Sequence, residues 1–401
     1  MNHNLNRFLC LSAALSTAAA CVYAQFPDSA TPDATSTTAT PVAWVYVSYA
    51  PDIKVSNTHR IAGFKAWANG SMTVMTGSPF NDDVGSIAVN GKYLMAASNT
   101  GAYLETYQME AGGGLRYIRR IEYGHFNGSN DCGAAGPISF DHTGSWLYVH
   151  EFDATNACTN TGVASFALNK STGVLSYLGF SSDGAFPGSI KTPSLLGNDV
   201  DGYSANDSAC MYYSIYGYRR ASNGMLNGFP NVNKNLPTPS SSFPGYVPNL
   251  AIADPTNHVA VHMSPADPPG CVNLPPQIAT YTADSSGYLT TTSTYSNMPT
   301  TLVLTPYDMR MAPSGKLLAV GGQEGLQIFH FNGASPTTHF TNLITTAPIN
   351  LMFWDKTNHL YAISQSTNKI FVFTITPTGF SQAAGSPHTL PSPVALIVQP
   401  R

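Results

Sequence analysis

Two charged residues stand inside a short strand-like segment of this 401-residue chain. In PYDMRMAPSGKLLAV, residues 306–320, Asp308 and Arg310 alternate with Met309 and Met311, so an extended backbone would place both charges on one side. Burying a charge is costly unless it is paired, and a guanidinium is well suited to binding a carboxylate through parallel hydrogen bonds. The two residues therefore form either a structural ion pair that fixes strand packing or part of an anion-binding site in which Arg310 holds the ligand.

A histidine follows a valine in two similar segments, YVH at His150 and AVH at His262, and Glu151 adjoins the first. A histidine beside a carboxylate can act as general acid or base, as the hydrolysis of a lactone requires. The alternative is that both histidines lie at the surface with ordinary solvent contacts and have no catalytic role. The candidate catalytic residues are therefore Glu151, His150, Arg310 and Asp308. No nucleophile elbow, P-loop or dinucleotide-binding glycine pattern follows a suitable strand, so we predict no cofactor.

The elements that would position these residues follow from a pattern that recurs seven times, an aliphatic residue with an aromatic one three positions later. The pairs are Ile61/Phe64, Leu104/Tyr107, Val163/Phe166, Ile215/Tyr218, Ile278/Tyr281, Leu326/Phe329 and Ile370/Phe373. Turn signals such as NGSM, GGGL and TGVL often follow a pair, short runs rich in Val, Thr and Tyr surround it, and helical periodicity is lacking. Each unit reads as four short strands, which predicts an all-β fold, a seven-bladed β-propeller of four-stranded antiparallel blades.

The two ends of the repeat array complement each other. WVYVSY resembles the second strand of the unit, so the first blade lacks its innermost strand. The C-terminal SPVALIVQP resembles innermost strands such as VPNLAIADP and TPYDMRMAP. We therefore predict that the C-terminal strand completes the N-terminal blade and closes the ring, which removes the open sheet edges of an unclosed array.

Composition excludes some classes of function. Only 10% of the residues are charged and the net charge is -4, so the sequence has no basic face for nucleic acid. No charge run or apolar stripe indicates an oligomer, and we expect a monomer.

The first residues are typical of an export signal. Arg7 precedes a short apolar run, too short to span a membrane comfortably, and small residues suit cleavage after residue 24. Residues 1–24 are thus predicted to be a signal peptide, residues 25–41 a disordered Ser/Thr/Pro/Ala linker, and residues 42–401 the propeller. TAAAC also resembles a lipoprotein processing site, so a lipid anchor at Cys21 is the alternative to a free periplasmic or secreted protein.

Four cysteines, Cys132, Cys158, Cys210 and Cys271, lie in the predicted mature chain. The predicted topology puts all four in loops on one face of the ring, the loop-bearing face. We expect disulfides Cys132–Cys158 and Cys210–Cys271, with free thiols or a metal site as the alternatives. Because the CxxC spacing is missing, we predict no metal site.

The recurring strand and turn segments, such as GKLLAV, TGVLSYL and GSPF, resemble those of the lactonase-type seven-bladed propellers. That family includes 6-phosphogluconolactonase and the fungal carboxy-muconate lactonizing enzyme, and the resemblance covers residues 42–401. It implies a substrate site at the mouth of the central channel, where an arginine and a glutamate help to hold a carboxylate or lactone.

Two segments match the family pattern in part. GPISFDHTGSWLYVHEF keeps the Gly-Pro start and places Glu151 at the family's glutamate, but it lacks the Arg-His pair. In the segment from residue 306, Asp308 replaces a glutamate, Arg310 is kept, and Gln323 stands where the family has a second arginine.

Two functions are consistent with these features. The first is an exported, metal-free lactone hydrolase acting on a small anionic lactone or carboxylate at the channel mouth, with His150 and Glu151 as acid and base and Arg310 holding the anion. The second is a noncatalytic propeller that binds a glycan, a peptide or an envelope protein through its loop-bearing face. Because propellers carry many unrelated functions, the fold does not decide between them.

Overall fold

The computed structural model describes most of the chain from residue 40 onward. The described ranges are 40–51, 59–81, 83–98, 103–122, 133–153, 162–182, 193–208, 212–229, 232, 236–237, 246–265 and 274–401. Within them, the side chains left undescribed are those of residues 81, 133–135, 151–153, 206–208 and 212–214.

Every regular element in the described part of the chain is a strand. The first fifteen are β1 (Ala43–Tyr49), β2 (Arg60–Ala66), β3 (Met72–Val74), β4 (Phe80–Asn81), β5 (Val84–Val89), β6 (Tyr93–Ser98), β7 (Tyr103–Met109), β8 (Leu115–Glu122), β9 (Gly133–Phe140), β10 (Trp146–Asp153), β11 (Gly162–Asn169), β12 (Val174–Ser182), β13 (Ser194–Leu195), β14 (Asp201–Ser208) and β15 (Tyr212–Arg220). The others are β16 (Leu226–Phe229), β17 (Tyr246–Ala253), β18 (His258–Pro265), β19 (Gln277–Ala283), β20 (Leu289–Thr290), β21 (Pro306–Met311), β22 (Leu317–Gly322), β23 (Gly325–Asn332), β24 (Ser335–His339), β25 (Leu351–Trp354), β26 (His359–Ser364), β27 (Lys369–Thr376), β28 (Gly379–Gln382), β29 (His388–Thr389) and β30 (Pro393–Pro400).

The strands form seven antiparallel sheets, the blades of a β-propeller, as the sequence predicted. Blade 1 contains β30, β1, β2 and β3 from the channel outward, with β4 also on β2. Blades 2 to 6 are β5–β8, β9–β12, β13–β16, β17–β20 and β21–β24, and blade 7 is β25–β28 with β29 on β27. All seven aliphatic–aromatic pairs lie in the third strand of a blade, where they are buried.

The C-terminal strand closes the ring. Strand β30 pairs antiparallel with β1, from Ala43 opposite Pro400 to Tyr49 opposite Pro393. It also packs against the innermost strands of blades 2 and 7. The predicted closure is therefore confirmed.

The hydrophobic core is divided among the interfaces between blades. Seven clusters of buried side chains occur in the described residues, and each joins two neighbouring blades, such as Val45 with Tyr361 and Leu250 with Val320. Each blade is thus apolar on both faces, as expected for sheets stacked around an axis.

Buried tyrosines add specific links between blades. The hydroxyls of Tyr46, Tyr148 and Tyr203 donate to the carbonyl oxygens of Gly113, Gly224 and Gly287 at 2.8, 3.1 and 2.8 Å, each in a turn of the following blade. Burial raises the pKa of all three phenols, so they remain protonated donors.

The outer edges of blades 1 and 7 are each split into two short strands, which the four-strand repeat did not predict. The interruption falls at Gly-Ser-Pro, where proline has no N–H to continue the ladder. The preceding serine replaces the lost bond, since Ser78 Oγ accepts from the Gly63 amide at 3.0 Å and Ser386 Oγ from the Val372 amide at 2.9 Å.

Candidate functional site

The Asp308–Arg310 ion pair lies on β21, the innermost strand of blade 6. Arg310 Nε donates to Asp308 Oδ2 at 3.0 Å, and the same oxygen accepts from the Met352 amide of β25 in blade 7 at 2.7 Å. The Arg310 guanidinium lies over the Phe353 ring, 4.1 Å from its centre. Met309, on the opposite side of the strand, packs into the core toward blade 5. The predicted alternation of the strand is therefore confirmed, and the charged side faces blade 7.

This pair is distinctive within the ring. Among the described residues of the seven innermost strands, Asp308 and Arg310 are the only charged ones. Blade 2 has Ser86 and Ala88 at the same register, immediately after an equivalent irregularity in pairing. Ser86 Oγ accepts from the Ile138 amide of blade 3 at 3.2 Å, the bond that Asp308 makes to blade 7. A serine is thus sufficient for the link between blades, and the carboxylate adds the hold on Arg310.

The geometry of Arg310 leaves part of its guanidinium available. Its Nε is used by Asp308, one face of the group is covered by Phe353, and 28% of the side-chain surface is exposed. Within the described chain, no hydrogen bond engages its two terminal nitrogens. Because the group is oriented in advance, it can bind a carboxylate with little loss of side-chain entropy.

The segment beside β21 at the loop-bearing end is firmly held. Tyr307 Oη donates to Gln323 Oε1 at 2.6 Å, and Glu324 Oε2 accepts from the amides of Leu304 and Thr305 at 2.9 and 3.1 Å. Gln323 stands where the resemblance would place a second arginine. Arg310 is therefore the cation that this segment offers to an anion.

The other catalytic candidates lie elsewhere in the ring. His150 is on β10, the second strand of blade 3, and is 5% exposed, while the side chain of its neighbour Glu151 lies outside the described residues. Blades 4 and 5 separate His150 from β21 along one direction of the ring. The structure thus joins Asp308 with Arg310 but does not place His150 beside them.

His262 is a core residue. It is fully buried between blades 5 and 6, where Nε2 donates to the Val303 carbonyl at 3.1 Å and Nδ1 lies 3.3 Å from Asn249 Oδ1. Burial lowers the pKa of His262 to about 4, so the ring is neutral near pH 7 and has no access to a substrate.

Cys132, Cys158, Cys210 and Cys271 all lie outside the described residues, so both disulfides stay predictions. In the described part of the chain, no three His, Cys, Asp or Glu side chains converge as metal ligands would. No helix among the described residues has the length and apolar character needed to cross a membrane.

Sequence reasoning missed the residues of blade 7 that complete the ion-pair site. Met352 contributes only an amide, Phe353 one ring face, and Trp354 Nε1 donates to the Arg310 carbonyl at 3.3 Å. The only signal in the sequence is the cluster of aromatic residues in NLMFWD, which by itself reads as a core strand.

Solved structures share this fold across nearly the whole propeller. A candidate 6-phosphogluconolactonase from Bacteroides fragilis covers 91% of this chain and 99% of its own, with 12% identity and a TM-score of 0.62. A periplasmic gluconolactonase from Pseudomonas aeruginosa covers 89% of this chain and 99% of its own, with 13% identity and a TM-score of 0.63. A protein from Lactobacillus plantarum covers 90% and 99%, with 12% identity and a TM-score of 0.61.

No protein-family model and no curated protein matches the sequence. At these identities the likeness concerns the fold. The chain is a seven-bladed β-propeller, and its architecture is similar to that of lactonase-type propellers.

Proposed function

We propose that this protein is an exported lactonase-like hydrolase that opens a small anionic lactone in the channel of the propeller. The observation that carries the proposal is Arg310, a guanidinium fixed by Asp308 and Phe353. The described residues of the innermost strands carry no charge apart from this pair. Such a group recognises a carboxylate on the substrate and holds it in one orientation. The fold shared with a gluconolactonase is consistent with this chemistry.

In the proposed reaction, water adds to the lactone carbonyl, the ring C–O bond breaks, and the released alkoxide takes up a proton to give a hydroxy acid. Asp308 orients Arg310, and Arg310 binds the substrate carboxylate. His150 and Glu151 of blade 3 are the sequence-based candidates for activating water and delivering the proton. Because blade 3 does not adjoin blade 6, this role requires the substrate to extend across the channel from Arg310. The leader-like residues 1–24 support action outside the cytoplasm.

The test uses residues 25–401 and a panel of sugar and aliphatic lactones, with and without a carboxylate. The informative variant combines Asp308→Ser with Arg310→Ala, because blade 2 carries this pair, Ser86 and Ala88, at the same register. The serine can keep the hydrogen bond to the Met352 amide, so the fold should survive. Arg119→Ala, at an exposed arginine of outer strand β8, is the matched control.

We expect hydrolysis of the carboxylated lactones by the wild type and the control. In the double variant, kcat/KM should fall about 100-fold, as loss of about 3 kcal/mol of charge-assisted bonding predicts. Equal turnover by a folded double variant would contradict the role of Arg310.

A second candidate is a noncatalytic propeller that binds its ligand or a partner of the cell envelope. It is favoured by the bond between Gln323 and Tyr307, which leaves Arg310 without a second cation, and by the burial of His262. If the wild type binds carboxylates through Arg310 but opens no lactone, the protein belongs to this class.

A further inference from the structure

A cleft, the outer cleft, lies on the outer part of the ring, between blades 4 and 5. Its volume is about 600 Å³, and its lining includes Arg219, Asn227, Phe229, Ser286 and Tyr288. The first three come from β15 and β16, and the last two from the turn before β20. The cleft is therefore far from the innermost strands and is independent of the proposed channel chemistry.

Tyr288 gives this cleft an aromatic wall. It is 52% exposed, whereas most large apolar side chains in the described part of the chain are buried, and it meets Phe229 edge-on with ring centres 6.4 Å apart and planes at 80°. An exposed tyrosine combines a flat apolar face with a hydroxyl that can bond to a ligand.

The turn that carries Tyr288 is held rigidly. Asp284 Oδ1 accepts from the amides of Ser286 at 2.7 Å and Tyr288 at 3.0 Å. From blade 4, the buried Tyr203 hydroxyl donates to the Gly287 carbonyl at 2.8 Å. The exposed ring is thus presented by a fixed turn, which lowers the entropic cost of binding.

Two arginines line the cleft, and both are already charge-compensated. Arg219 Nε donates to the buried carboxylate of Asp201 at 2.8 Å, and Arg220 Nη1 donates to the buried carboxylate of Asp141 at 3.2 Å. Arg220 also stacks on Trp146 at 4.3 Å. Asp284 acts on Arg219 in addition to Asp201, whereas Arg310 in the channel is paired with one carboxylate. The cleft guanidiniums consequently offer oriented N–H donors in more negative surroundings, a setting that suits hydroxyl oxygens better than an anion.

We propose that this cleft binds a neutral oligosaccharide. One sugar ring stacks on Tyr288, and its hydroxyls accept from Arg219 and exchange hydrogen bonds with the Asn227 amide. The volume suits a ligand of two or three sugar units, in the range of ordinary small-molecule sites. The proposal does not depend on lactone hydrolysis, and it places binding on outer strands, away from the channel.

The experiment measures binding of maltotriose, cellotriose and mannotriose to residues 25–401 by calorimetry and ligand-observed NMR, with trigalacturonate as the anionic comparison. We expect at least one neutral trisaccharide to bind with Kd below about 10 mM. Tyr288→Ala should weaken it at least about tenfold, and Arg219→Lys, which keeps the charge but loses the planar fork, should weaken it several-fold. Tyr117→Ala, at a tyrosine of β8 that is 50% exposed, should leave binding unchanged.

Absence of binding by all three neutral sugars would overturn the proposal, as would unchanged affinity in a folded Tyr288→Ala variant. Tighter binding of trigalacturonate than of every neutral sugar would overturn the argument from charge compensation. Since Tyr288 is exposed, its replacement should not alter the melting temperature, which reports separately on folding.

Discussion

The Asp308 carboxylate accepts a hydrogen bond from the Met352 amide of the next blade, and the same oxygen holds the Arg310 guanidinium. In blade 2, Ser86 makes the corresponding bond to the Ile138 amide without any arginine nearby on its strand. Asp308 therefore has two separable roles, one in joining blades and one in orienting a cation.

Replacing Asp308 should distinguish these roles. Asp308→Ala leaves a partly buried guanidinium without its partner and the Met352 amide unsatisfied, so we expect a loss of about 3 kcal/mol in the free energy of unfolding. Asp308→Ser should recover part of that loss by restoring the bond to Met352. Urea denaturation of both variants measures the difference, and equal stability of the two would contradict the assigned bond.

Removing the closing strand should open the ring. Without residues 392–401, β1 loses its inner neighbour and the core between blades 1 and 7 loses Leu396 and Val398. We expect loss of the cooperative thermal transition and aggregation through the exposed edge, checked by circular dichroism and size-exclusion chromatography. Deletion of Arg401 alone is the control, and a peptide spanning residues 392–401 should restore the transition when added in trans. An unchanged melting curve for the truncated chain would show that closure is dispensable.

His262 should make the protein sensitive to acid. Burial depresses its pKa to about 4, so its neutral form contributes stability that is fully present above its ordinary pKa and is lost as pH falls from about 6.5 toward 4. His262→Gln should be less stable than the wild type near neutral pH but should lose less stability on acidification. Urea midpoints at about pH 7.5 and about pH 4.5 test this slope. His330→Gln, at a partly exposed histidine, is the control, and parallel slopes for wild type and His262→Gln would rule out the assignment.

Tyr46 and Tyr203 should contribute equally to the free energy of unfolding, but only Tyr203 should affect the outer cleft. Tyr203→Phe and Tyr46→Phe each remove one hydroxyl bond to a turn carbonyl, and each should cost about 1–2 kcal/mol. Of these two tyrosines, only Tyr203 bonds to the turn that carries Tyr288. Faster amide hydrogen exchange at residues 284–288 is therefore expected in Tyr203→Phe alone, and the same change in both variants would contradict this local effect.

Most of the architecture follows from local sequence patterns. The aliphatic–aromatic pairs mark the third strands because residues three apart point to opposite faces of a strand, and both faces of a third strand are buried against neighbouring blades, as with Ile61 and Phe64. The terminal segments identify the closing strand. The divided outer edges of blades 1 and 7 were not predicted. They depend on the hydroxyls of Ser78 and Ser386, which replace backbone hydrogen bonds where the edge strand is interrupted.

Much less of the site could be predicted. The alternation of Asp308 with Met309 places the charge on one side of a strand, but it does not reveal which blade that side faces. Phe353 and the Met352 amide are close to Arg310 only in three dimensions. The outer cleft could not be predicted for the same reason. Arg219 and Tyr288 belong to different blades, and neither lies in a recognisable sequence motif.

The pairing of β30 with β1 also sets the order in which the molecule can fold. The contacts that complete blade 1 join the two ends of the propeller sequence, so they are among the least local in the chain and carry a high loop-closure cost. Until they form, β1 has an unpaired edge and blade 7 lacks a neighbour. Closure is therefore expected to be a late and slow folding step, during which the nearly finished ring is most exposed to intermolecular strand pairing.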